Sequence, residues 1–159
     1  MSQLIQLLRP TTVFLDLKPE SKIDLLTFLS GQLQNQDIVY PSYANAVIAR
    51  EKIYPTGLQT SVCGVAIPHT DPEHVKMEAV SFASLSKPVT FQMMGMNDQQ
   101  VEVNLIFMLA MKEPHGQLEM LQELTGLFQN PDRLMELTRA SSVEQIFQII
   151  KESRKDEAL

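Results

Sequence analysis

Residues 79–111, AVSFASLSKPVTFQMMGMNDQQVEVNLIFMLAM, decide how this chain is built. Ala79 to Leu85 and Val101 to Met111 are apolar runs of strand length, and Val89 to Met93 adds a short one. A polar loop around Gly95 to Gln100 separates them. Upstream, Ser61 to Ile67 (SVCGVAI) is a short apolar run closed by Pro68, which suits a buried strand. Thr11 to Leu17 (TTVFLDL) alternates and is rich in β-branched residues, so it also reads as a strand, ending at a helix start marked by Lys18-Pro19.

Helical spacing fills the rest. Ile23, Leu26, Leu29 and Leu33 predict a helix over about 20–35, and the Ala-rich stretch Tyr43 to Ile53 predicts a second, stopped by Pro55 and Gly57. After the strands, Leu118, Leu121, Leu124 and Phe128 share a face, and Asn130 with Pro131 starts another helix. Ser142 with Gln145 makes a capping box for a last one, and Ser153 to Leu159 reads as a frayed end. The order is strand, two helices, three or four strands, three helices. It predicts an α/β fold, a three-layer α/β/α sandwich whose central sheet is mixed because strict βαβ alternation is missing.

With 159 residues and no linker or repeat, 1–159 reads as a single domain. The net charge of −6, with 13 Lys and Arg in no basic block, argues against nucleic acid as a partner. One cysteine fits a reducing compartment. The longest apolar run, Leu105 to Met111, is too short to span a bilayer, and Met1 to Pro10 lacks the pattern of a signal peptide. A cytoplasmic protein with no direct membrane insertion is expected.

The six glycines form neither a P-loop nor a dinucleotide fingerprint, and no nucleophile elbow is present. Cys63 reads as a buried, inert thiol. That leaves three histidines. In Gly64-Val65-Ala66-Ile67-Pro68-His69, a proline stiffens the chain where a buried strand delivers an imidazole to the surface. Rigid presentation of a neutral imidazole suits a nucleophile, although by pattern alone such a histidine is more often a solvated loop residue.

The stretch from Ala49-Arg50-Glu51 through Pro55-Thr56-Gly57 to Gly64-Val65-Ala66-Ile67-Pro68-His69 resembles the enzyme IIA domain of the sugar phosphotransferase system, fructose and mannitol class. Pro-Thr-Gly at 55–57, Pro-His-Thr at 68–70 and Glu73-His74 most resemble its galactitol-type branch. The resemblance implies a phosphotransferase in which His69 forms a phosphohistidine through Nε2. The phosphoryl group would come from the carrier HPr and go to a cysteine of a cognate enzyme IIB, reaching the membrane subunit IIC only indirectly. It further implies that Arg50 holds phosphoryl oxygens, that Glu51 and Thr56 neighbour the site, and that His115 is a second active-site histidine. No cofactor or metal is implied.

Each assignment has a plainer rival. Arg50 equally suits a helix C-terminus satisfying carbonyls, His115 a surface position on a helix's first turn, and Thr56 the turn chemistry of Pro-Thr-Gly. His74 reads as a polar surface residue at a helix start. A zinc site from His69, His74 and His115 lacks any ligand-pair motif. The methionines around Phe91 to Met96 and at 108, 111 and 120 suit core filling as well as an adaptable docking rim. A regulatory module whose His69 phosphorylation controls a partner protein is the rival function.

Overall fold

The computed structural model describes residues 2–158. Its elements run α1 (Gln3–Leu7), β1 (Leu8–Leu17), α2 (Lys22–Asn35), α3 (Tyr43–Ile53), β2 (Gly57–Gln59), β3 (Gly64–Ala66), a 3-10 turn (Pro72–His74), β4 (Ala79–Met93), β5 (Met96–Ala110), α4 (Pro114–Phe128), α5 (Pro131–Arg139) and α6 (Val143–Ala158). The five strands form one mixed sheet: β1 pairs with β4 and β3 with β5 in parallel, while β4 with β5 and β2 with β3 are antiparallel.

The backbone of that sheet is the β4–β5 hairpin, and it is longer than the sequence suggests. Between the pairs Ser84↔Leu105 and Val89↔Val103 the ladder shifts register, so Ser86-Lys87-Pro88 bulges outward while the strand carries on. Two expected strands, 79–85 and 89–93, are therefore one. The expected loop of 95–100 shrinks to Met94-Gly95, where Gly95 takes φ 75°, a value that suits glycine in so tight a turn.

Strand alternation divides the interior in two. Leu105 and Phe107 face α1, α4, α5 and α6 with Val80, Phe82, Leu124 and Ile146; Ile106 and Met108 face α2 and α3 with Ala83, Leu26, Leu29 and Val47. Each buried large side chain is worth about 1.5–3 kcal/mol, so both layers stabilise the sheet they share. The α/β/α sandwich expected from the sequence is what forms.

Local chemistry sets the helix ends. The Ser21 hydroxyl accepts from Asp24 N at 3.1 Å to start α2, and the Asn130 side chain accepts from Arg133 N at 3.3 Å to start α5. Ahead of α6, Ser142 Oγ accepts from Gln145 N at 3.2 Å, while the Gln145 amide oxygen reaches back to Ser141 N at 2.7 Å, one residue earlier than the expected box. The expected frayed end is also corrected: Ser153 is buried, and Arg133 Nε donates to Asp156 Oδ2 at 2.7 Å, tying the last turns of α6 to α5. Leu159 lies outside the described residues.

Candidate active site around His69

β3 ends because Pro68 has no N–H to continue the ladder, yet its carbonyl still accepts from Leu109 N at 3.0 Å. The chain is thus anchored to β5 one residue before His69. That histidine is half-buried, and its Nδ1 lies 2.8 Å from the carbonyl of Ile67. A carbonyl only accepts, which assigns the proton to Nδ1 and leaves Nε2 of the neutral ring with a free lone pair.

Burial pushes the His69 pKa below the ordinary histidine value, opposed by the Ile67 carbonyl; the Arg50 charge pushes it down further and Asp71 opposes. A lowered pKa favours the neutral ring at physiological pH. Arg50 stands in the last turn of α3 with its Nη1 3.6 Å from Asp71 Oδ1 and its guanidinium carbon 5.1 Å from the centre of the Tyr54 ring. A planar cation stacked on an aromatic and beside a neutral imidazole is suited to hold an anion there.

Glu51 and Thr56 lie inside the fold. Glu51 is only 2% exposed; its Oε2 accepts from Thr56 N at 2.6 Å and its Oε1 from the Thr56 hydroxyl at 2.8 Å. Burial raises the Glu51 pKa, and the Thr56 hydrogen bonds counter that rise. Pro-Thr-Gly forms no turn: Gly57 already begins β2, and Thr56 is instead bonded inward to Glu51.

His115 occupies the first turn of α4 with its side chain 84% exposed and its Nε2 2.9 Å from Glu119 Oε1. Both His69 and His115 follow the C-terminal ends of the parallel pair β3 and β5. His74 is less a surface residue than expected: it ends the 3-10 turn, and its Nδ1 lies 2.8 Å from Ser42 Oγ, helping join the 72–76 segment to the start of α3. The three rings thus meet three different sets of partners.

Cys63 is a correction. The expected strand 61–67 is trimmed to Gly64–Ala66, and Cys63 sits half-buried in the β2–β3 turn, where its carbonyl accepts from Thr60 N and Thr60 Oγ1. Partial burial still raises its thiol pKa, which favours an unreactive thiol. Sequence reasoning missed β2 and the part played by Asp71; the only signal for Asp71 was its position two residues past the histidine.

Residues 6–153 match the model of the family described as "Phosphoenolpyruvate-dependent sugar phosphotransferase system, EIIA 2". The chain belongs to that EIIA 2 family. Among curated relatives, the galactitol-specific EIIA component of Escherichia coli K12 is 32% identical over 109 residues, spanning 69% of this chain and 72% of that protein. The transcriptional regulator ManR of Bacillus subtilis is 28% identical over 143 residues, 89% of this chain but only 20% of ManR. In fold, the EIIA chain matches the structure of enzyme IIAMTL in complex with phosphorylated enzyme IIBMTL from Escherichia coli, with TM-score 0.75, 23% identity and coverage of 92% and 99%. EIIA domains are phosphotransferases that carry a phosphohistidine, so the activity is transfer of a phosphoryl group. Among the described residues no helix of this EIIA is long and apolar enough to cross a membrane.

Proposed function

We propose that Nε2 of His69 takes the phosphoryl group from phospho-HPr and that a cysteine thiolate of a cognate enzyme IIB then takes it from His69, in the cytoplasm, during uptake of galactitol or a related polyol. In the first step the bond from phosphorus to the donor's histidine breaks as the bond to Nε2 forms; in the second the Nε2–P bond breaks as S–P forms. The observation that carries this reading is the Nδ1–H held by the Ile67 carbonyl beside the Arg50 cation, which leaves Nε2 as the acceptor. Arg50 would exchange its long contact with Asp71 for two phosphoryl oxygens, and Glu51 and Thr56 support the site from below. His115, released from Glu119, adds a donor to a phosphoryl oxygen as charge redistributes. Removing a donor of that kind slows transfer by roughly a hundredfold.

Supporting the polyol is the 32% identity to a galactitol-specific component. IIB as acceptor is supported by the solved complex of a related IIA with its phosphorylated IIB, and in this reading the membrane subunit IIC is reached only through IIB. The likeness to ManR favours a second reading, in which phosphorylation of His69 controls a partner protein. Incubation with phosphoenolpyruvate, enzyme I, HPr and candidate enzymes IIB separates the two. The expected result is acid-labile, base-stable phosphate that is absent from His69→Ala and is chased rapidly onto a galactitol-type IIB. Phosphate retained against every IIB supports the regulatory reading, and phosphate on folded His69→Ala overturns the acceptor assignment.

A further inference from the structure

A buried carboxylate lies beneath the acceptor and takes no part in the transfer itself. Glu51, next to Arg50 at the end of α3, spends both oxygens on one residue: Oε2 on Thr56 N at 2.6 Å and Oε1 on Thr56 Oγ1 at 2.8 Å. A carboxylate only accepts, so the hydroxyl proton points to Glu51 and the hydroxyl oxygen is left to accept from Ile67 N, 3.2 Å away. Ile67 in turn holds His69 Nδ1 at 2.8 Å. Hydrogen bonds on either side of Ile67, joined covalently through its backbone, therefore link α3, by way of the segment before β2, to the ring of His69 past the end of β3.

We propose that Glu51 is a positioning residue for phosphoryl transfer, acting through Thr56 and the backbone of Ile67 to fix the orientation and tautomer of His69. The proposal rests on His69 being the acceptor. Ile67 is held from three sides: Thr56 takes its N–H, the following proline confines it to extended conformations, and Leu109 N ties down Pro68. With its N–H unheld, the residue could turn its carbonyl away from Nδ1, and the ring proton would then be shared between both nitrogens. Nε2 would no longer be a free nucleophile in every molecule. Charge-assisted bonds of this length hold the Thr56 hydroxyl proton on Glu51, whereas the NH2 of a neutral amide in its place would donate to the hydroxyl oxygen and compete there with Ile67 N.

The test compares Thr56→Val, which keeps the volume and removes the hydroxyl, with Thr56→Ser, which keeps the hydroxyl. Two readouts are taken on each folded protein: the rate of phosphate acceptance from phospho-HPr, and the ring ¹⁵N spectrum of His69. Wild type is expected to show one neutral tautomer with the proton on Nδ1. Thr56→Val is expected to show a mixture and to accept phosphate about ten- to a hundredfold more slowly, by analogy with the loss when a metal-ligating imidazole loses its orienting partner; Thr56→Ser is expected to restore both. Glu51→Gln is read in the same two ways, with the same loss expected, and it carries the test alone should Thr56→Val not fold. If wild type takes phosphate while the disrupted variant keeps rate and tautomer, or if Thr56→Ser is as slow as Thr56→Val, the positioning role is wrong and the acceptor reading stands. A wild type that takes no phosphate at all sinks the acceptor reading, and this proposal with it.

Discussion

An imidazole attacks phosphorus only through an unprotonated nitrogen, so the protonation of His69 decides whether it can serve as the proposed acceptor. Burial, helped by Arg50, lowers its pKa in the folded protein, whereas in the unfolded chain it titrates near about 6.5. Between the folded value and about 6.5 the unfolded state binds more protons, so stability rises with pH across that window. The contribution is complete above about 6.5 and is lost as pH falls through the folded value. Titration followed by ¹H–¹⁵N NMR of the histidine rings is therefore expected to place the His69 midpoint below 6.5, and Arg50→Gln to move it upward by removing a like charge. A His69 midpoint above 6.5 in wild type would mean that the ring is less desolvated than its half-buried position implies.

β3 is only three residues long, yet it aims the site, and its tolerance depends on Gly64. A Cβ there would lie 2.1 Å from the Glu102 carbonyl oxygen and 2.7 Å from Val101 Cγ1, closer than real contacts allow. Gly64→Ala is expected to push β3 off β5, costing about 1–3 kcal/mol in urea unfolding and slowing phosphate acceptance together, because His69 hangs from the end of the displaced strand. Unchanged stability in that variant would show that β3 has room the geometry denies. The same scale explains what could be read from the sequence. α2, α3, α5 and the Pro68–His69 strand end carry spacing, caps and a proline, so their local signals agree with the final fold. β2 (Gly57–Gln59) and α1 (Gln3–Leu7) are too short to show a period, and β4 hides its continuity behind Ser86-Lys87-Pro88. Arg50 and His69 stand out as candidates because motif and chemistry coincide there. The inward role of Glu51 could not, since a charged residue in the last turn of a helix ordinarily faces water, and only tertiary packing brings Ile67 to Thr56.

The two apolar layers meet through one sheet, and this decides how the molecule as a whole should unfold. Along β5, Leu105 and Phe107 contribute to the layer under α4 and α6, and Ile106 and Met108 to the layer under α2 and α3, so neither layer can be lost without exposing the other's strands. One cooperative transition is expected for the sheet and both of its helical layers. Two substitutions on opposite faces test this. Phe107 is fully buried, with its ring 5.1 Å from Phe82 and 5.8 Å from Phe128 between centroids, and Phe107→Ala should cost about 3–5 kcal/mol. Leu29, equally buried on the α2 side, should cost about 2–5 kcal/mol as Leu29→Ala. In urea, far-ultraviolet circular dichroism and tyrosine fluorescence should report the same midpoint for each variant. Both midpoints should be lower than that of wild type with the slope unchanged, because the surface exposed on unfolding is the same. A second transition in either variant, or probes that disagree, would mean that one helical layer can separate while the sheet stays folded on the other. The candidate site, with Arg50 from α3 on one face and His69 at a strand end between the layers, would then be able to open without global unfolding.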